Sequence, residues 1–272
     1  MKRNRPRLSR RTFWVLCALL VCLRLALTGF QQAYIWVGGA PLDDELMFRA
    51  ANSITAGQWL GAYDYLTLSK AMFFPVWLAL LHALHLPYLI SGAALWCGAA
   101  LTAAFAFSPL WRKKDPEQGR VLTLALFAVL AFLPSSWASY TLRVYRDNIF
   151  PALCLYFFAG MAGMALRAVF TPEKPLWPWL AAAGAGLACG YLDREDAGLF
   201  LLPFAAAATG IVAVVLAGKR RWRALAAQLI PYLMLGAGVL TFCTLNYTHY
   251  GVFALSDFSE GSFAAAMGAM MR

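Results

Sequence analysis

The chain has 272 residues, of which 61% are hydrophobic, 15% aromatic and only 13% charged, and its formal net charge is +10. A mean hydropathy of +0.62 excludes an ordinary water-soluble domain. The basic residues lie in short loops between apolar runs rather than beside aromatics on a polar face, which argues for a membrane topology and no nucleic-acid partner.

In chain order, the basic tail "MKRNRPRLSRR" over residues 1–11 precedes an apolar run at 12–30. No A-x-A-like cleavage site follows it, so it reads as a retained signal anchor. Arg24 lies inside this run, about two turns from its outer end, where a buried cation calls for an acid nearby. An outer loop at 31–71 follows. Within it, "PLDDELMFRAANSITAG" places Leu46, Met47, Ala50, Ala51 and Ile54 at helical spacing, which predicts a helix lying flat in the interface. Asp43 is the expected N-cap and Gly57 the expected stop, leaving Asp44 freer for chemistry.

A shorter apolar piece at 72–86, with Lys70 just before it, suits a half-buried helix better than a crossing. Further runs fall at 88–110, 120–134, 148–168, 176–191, 198–217 and 224–246, and those at 120–134 and 176–191 are short for a bilayer. The predicted fold is all-α: a polytopic membrane helix bundle of about seven spans with an interfacial and a half-buried helix. The transmembrane domain runs over 12–246 and an outer tail over 247–272. The six cysteines sit inside apolar runs without C-x-x-C spacing and read as small buried hydrophobes.

If 72–86 does not cross, segments 1–11, 111–120, 167–174 and 218–223 share one side and hold 16 of the 23 Lys and Arg residues. That side is cytoplasmic by the positive-inside rule. The N-terminus then lies in the cytoplasm and the C-terminus outside, in a plasma (inner) membrane. Ten of the 13 acids fall on the outer side: Asp43, Asp44, Glu45, Asp64, Asp147, Asp193, Glu195, Asp196, Asp257 and Glu260. Acids contribute little to insertion, so their gathering points to polar work on that face.

Besides the acidic helix start and Lys70, two more outer clusters stand out. "SWASYTLRVYRDNIF" carries Arg143, Arg146 and Asp147 with Tyr140 and Tyr145 between them, the composition of a membrane-boundary aromatic belt. "YLDREDAGLF" carries Asp193, Arg194, Glu195 and Asp196, which also reads as a tight loop of self-paired charges. Together they offer carboxylates that accept a proton or hold a divalent metal, beside cations that bind a departing phosphate. That combination suggests group transfer from a lipid-linked phosphate donor.

The order of these motifs resembles the GT-C class of integral-membrane glycosyltransferases, such as protein O-mannosyltransferases and the aminoarabinose transferases of lipid A. "PLDDELM" is similar to that class's acidic pair after the first span, "SKAMFFPVWLALL" to its lysine-proline helix, "LRVYRDNIF" to its arginine motif ending in aspartate, and "LDREDAGLFLLP" to its later basic turn. The resemblance implies an inverting transfer of a sugar from a polyprenyl-phosphate donor on the outer face. Asp43 or Asp44 would be general base, with Lys70, Arg143, Arg146, Asp147, Arg194 and Glu195 on the substrate. It also implies a divalent metal ion, used by some members, and no other cofactor. The resemblance spans only the N-terminal half of a typical member, which leads us to expect a truncated or split enzyme with a separate C-terminal half or another membrane subunit. The alternatives are a transporter or flippase subunit and a non-catalytic membrane scaffold.

Overall fold

The structure, a computed structural model, describes residues 8–36, 38–39, 41–112, 115–171, 173–257, 266 and 268–270. Most of the basic tail at 1–7, the pair Lys113 and Lys114, and Glu260 in the outer tail lie outside the described residues.

Eleven helices account for most of the described chain. In order they are α1 (Arg10–Thr28), α2 (Pro41–Thr55), α3 (Phe73–Ala83), α4 (Tyr88–Ala106), α5 (Pro109–Arg112), α6 (Pro116–Ala131), α7 (Phe150–Phe170), α8 (Trp177–Asp193), α9 (Ala197–Gly218), α10 (Trp222–Ala227) and α11 (Ile230–Tyr250). Three short 3₁₀ turns fill the stretch between α6 and α7. No strand occurs among the described residues; one isolated bridge joins Tyr34 to Arg143.

Among the described residues, five stretches are long and apolar enough to cross a membrane: Arg10–Thr28, Tyr88–Trp111, Phe150–Phe170, Ala197–Gly218 and Trp222–Tyr250. The runs expected at 120–134 and 176–191 form helices of 16 and 17 residues, and the piece expected at 72–86 forms an apolar helix of 11. The chain is therefore an all-helical, multi-pass membrane protein.

Local sequence sets the helix ends. Asp115 caps α6 by accepting from the Glu117 and Gln118 amides, with Pro116 in the first turn, where its missing N–H costs nothing. Gly57 ends α2 as expected: it adopts φ +78°, while Gln58 N–H reaches the Ser53 carbonyl and Gly57 N–H that of Ile54, the two bonds of a Schellman stop. The start of α2 differs from expectation. Its first residue is Pro41, so Asp43 and Asp44 both fall inside the first turn and Asp43 is not the N-cap.

The short α8 lies at the centre of the bundle, between α7 and α11. Glycines make this possible. A Cβ on Gly160 of α7 would come 2.4 Å from the Ala183 nitrogen, and one on Gly186 of α8 2.4 Å from that of Phe157, so the two backbones are almost in contact. Gly184 and Gly238 give the same clearance between α8 and α11, where a Cβ would meet Met234 and Leu192 respectively.

Hydrogen bonds tie the helices together at two opposite ends. At one, Arg120 reaches the Leu8 carbonyl, Arg167 those of Phe105 and Ala106, and Lys219 that of Ala168. At the other, Arg24 reaches Ser136, Tyr88 reaches Arg143 and Tyr145, and Arg146 reaches Asp193. The first end is basic. The second gathers α2, α3 and the acidic loops.

Candidate functional site

Helix α2 brings the acidic pair to the second end. Its apolar face, Leu46, Met47, Ala50 and Ala51, is buried, with Met47 packed beside Phe74, Val144, Tyr145 and Ile149. Asp44 stands three residues before Met47 and seven before Ala51, on that same inward face. It is 1% exposed. The loop after α1 is pinned to the segment before α7 by Tyr34 N–H donating to Leu142 O (3.2 Å) and Val144 N–H donating to Tyr34 O (2.9 Å). This bridge carries Arg143 over Asp44.

The resulting pair is closed. Arg143 Nε donates to Asp44 Oδ1 at 3.0 Å and Oδ2 at 3.3 Å, Nη2 donates to Oδ1, and the Trp36 amide donates to Oδ2 at 2.7 Å. The rings of Tyr145 and Trp36 lie 4.3 and 5.3 Å from the guanidinium. Burial alone would lower the Arg143 pKa, but the Asp44 carboxylate outweighs it and holds the guanidinium above its ordinary value.

Asp43, one residue earlier, is held loosely. Its Oδ1 lies 3.5 Å from Lys70 Nζ, its Oδ2 accepts from the Tyr145 hydroxyl at 3.3 Å, and the side chain is 35% exposed. Lys70 is positioned by a buried turn. Leu68, fully buried among Leu46, Leu60 and Met72, adopts φ +60°, a left-handed conformation that an unsupported leucine avoids. Ala71 N–H then donates to Glu195 Oε1, so the same strand of loop touches both acidic clusters.

From Tyr145 the network runs inward. Arg146 Nη2 donates to the Tyr145 hydroxyl at 2.8 Å, while Nη1 donates to Glu195 Oε1 and Oε2 at 3.0 and 2.9 Å and to the Asp193 carbonyl at 3.1 Å. Burial would raise the Glu195 pKa, but Arg146, seconded by the Ala71 amide, brings it below its ordinary value. Burial likewise opposes the Arg146 charge, and Glu195 restores it. Arg194 closes a third set, 3.1 Å from both Asp147 and Asp196. The Asp193 carboxyl is fully buried, and neither oxygen has a hydrogen-bond partner among the described residues.

All eight residues singled out in the sequence, Asp43, Asp44, Lys70, Arg143, Arg146, Asp147, Arg194 and Glu195, meet at this end, in four ion pairs. Tyr145, expected as part of an aromatic belt, is instead 7% exposed and bridges Asp43 to Arg146. Its place between two arginines in "LRVYRDN" was the available clue. The Asp193 carboxyl was grouped with solvated loop charges, yet it ends α8 inside the bundle. His249 has its Nδ1 2.9 Å from the Leu245 carbonyl and its ring near Trp59.

Asp44, Glu195 and Asp147 are each occupied by an arginine, and no group of three or more His, Cys, Asp or Glu able to hold an ion occurs among the described residues. No family model, curated protein or solved structure matches the chain.

Proposed function

We propose that the chain is a membrane glycosyltransferase, or the site-bearing part of one, that moves a sugar from a polyprenyl-phosphate donor to a hydroxyl acceptor outside the membrane. In this reading seven helices cross, α1, α4, α6, α7, α8, α9 and α11, while α2 and α3 lie at the outer interface. The support is the pairing of helix ends on two opposite faces, as alternating crossings require. The basic face, with Arg120, Arg167, Lys219, Arg220 and Arg221, is cytoplasmic and the acidic face is outside. The membrane is the plasma (inner) membrane.

One observation carries the chemistry: of the site's four acids, Asp43 is the one held only by contacts of 3.3 and 3.5 Å, beside a half-buried lysine and a buried tyrosine–arginine relay. Asp43 is the general base, not Asp44, whose oxygens are occupied by Arg143 and Trp36. The acceptor hydroxyl gives its proton to Asp43 as its oxygen bonds to the anomeric carbon. The bond from that carbon to the phosphate oxygen breaks with inversion, and the electron pair leaves on the phosphate, which Lys70 meets. Tyr145 and Arg146 fix the carboxylate from behind, and no step is routed through a metal.

The test is transfer from a radiolabelled polyprenyl-phosphate sugar by membranes containing the full chain. Asp43→Asn is expected to reduce transfer by about 10²-fold or more with the membrane level unchanged; full activity in that variant overturns the assignment. A second reading, a non-catalytic scaffold, is favoured by the saturation of the other three acids. Wild-type membranes that hold the protein but transfer nothing from any such donor support the scaffold.

A further inference from the structure

The acid expected for Arg24 is not there. Among the described residues no carboxylate pairs with it; Nη2 donates to the Ser136 carbonyl at 2.8 Å, and the guanidinium carbon stands 3.3 Å from the centre of the Trp137 ring. The side chain is only 3% exposed, yet Nε and Nη1, which carry three of the five N–H donors, have no partner among the described residues. A buried guanidinium satisfied by one carbonyl and one ring is an uncompensated charge.

Arg24 lines a partly open cavity of about 50 Å³ between α1, α4 and the turns that precede α7. The other polar walls include Gln31, Ser135, Tyr140 and Asn148. Asn148 Nδ2 is spent on the Thr141 carbonyl at 2.8 Å, while its buried Oδ1 has no donor among the described residues. Gly92 leaves room for this amide, since a Cβ there would come 2.1 Å from Oδ1. The cavity thus presents unpaired cationic donors and an unpaired acceptor together.

Its place in the fold favours a lipid source. Arg24 is four residues before the end of α1, about 6 Å along the axis, which is headgroup depth in the topology proposed above. Neighbouring positions of α1, Leu19, Leu23 and Leu27, are exposed apolar side chains turned away from the bundle. An amphiphile can lay its chain there and its head in the cavity.

We infer that this cavity is a binding site for the phosphate headgroup of a membrane amphiphile, with Arg24 taking the anion and Asn148 Oδ1 accepting from a hydroxyl on the head. The inference rests on the proposed membrane placement but not on the transferase chemistry: none of Asp43, Asp44, Lys70, Arg146 or Glu195 lines the cavity.

The test is equilibrium binding of dodecyl phosphate to the full chain in a neutral detergent, followed by native mass spectrometry. Arg24→Gln is expected to weaken binding by about tenfold or more, because it removes a charged hydrogen-bonding partner. Asn148→Asp, which keeps side-chain size and adds a competing carboxylate, weakens it comparably and serves if Arg24→Gln folds poorly. Transfer is measured on the same cavity variants, so loss of probe binding with transfer intact separates the cavity from the transferase site. Inorganic phosphate failing to displace the probe at equal concentration supports the lipid source; equal displacement assigns the cavity to free phosphate and overturns that source. Wild-type affinity in both cavity variants overturns the site.

Discussion

Two corners of the acidic end stand one residue apart on α2 and differ in almost everything but chemistry. The Asp44 corner is closed: a buried carboxylate accepts from Arg143 and the Trp36 amide, and aromatic rings flank the guanidinium. The Asp43 rim is open: a part-exposed carboxylate makes two long contacts, to a half-buried lysine and to a tyrosine hydroxyl. A step of one residue turns a helix by about 100°, enough to move a side chain from the core to the rim. An acidic pair is therefore two separate devices. One holds the loop after α1 to the segment before α7, and the other stays part-exposed at the rim, where the proposed reading puts the base.

The largest expected effect tests the closed corner. Asp44→Ala leaves Arg143 buried without its carboxylate, and breaking a buried pair from one side costs about 3–5 kcal/mol. Thermal melting in detergent is expected to fall steeply, and membrane level with it. Replacing both partners, Asp44→Leu with Arg143→Met, removes the stranded charge and is expected to recover most of that loss. A single Asp44→Ala variant with wild-type melting would break the contrast between the corners.

Asp43→Asn should do the reverse. A surface-edge substitution of this kind typically changes stability by no more than about 0.5 kcal/mol, so the melting curve is expected to stay in place while transfer is lost. If Asp43→Asn lowers melting as much as Asp44→Ala does, both aspartates are structural and the rim is not a site.

How much of this was legible in the sequence depends on the distance over which each feature is decided. The helical spacing of Leu46, Met47, Ala50 and Ala51 and the stop at Gly57 are local, and both are found in the structure. The gathering of Lys70, Arg143, Arg146, Arg194 and the acids followed from counting charges between apolar runs. Which aspartate is buried did not: Asp43 stands three residues before Leu46 and Asp44 three before Met47, so spacing puts both beside the buried face, and the distant Arg143 is what selects Asp44. The helix start at Pro41 was missed because proline's preference for the first helical turn was overlooked. The ring beneath Arg24 comes from Trp137, more than a hundred residues away, and no local pattern could reveal it.

Tyr145 joins the rim to the interior and carries a smaller prediction. Tyr145→Phe keeps the ring packed against Phe74 and beside both guanidinium groups but removes the hydroxyl shared by Asp43 and Arg146. Losing one hydrogen bond to a charged group costs about 1.5 kcal/mol. The expected outcome is a modest fall in melting temperature and a partial loss of transfer, smaller than in Asp43→Asn. Transfer as low as that of Asp43→Asn would instead mean that the tyrosine hydroxyl acts on substrate directly.

The smallest effect is in the pH dependence, and it concerns the far side of the same relay. Arg146 and the Ala71 amide hold the Glu195 carboxyl below its ordinary value of 4.5. A depressed carboxylate stabilises the fold fully above its unfolded pKa, and that contribution is lost as pH falls through the folded value, because the unfolded chain then binds the proton first. Melting temperature should therefore decline as pH drops below 4.5, with no matching change on the neutral side. Glu195 is about one-third exposed, so solvent screening keeps the slope shallow. Glu195→Gln lowers melting at neutral pH by stranding Arg146 but flattens the acid limb. A limb as steep in Glu195→Gln as in wild type would place the acid sensitivity in another carboxylate.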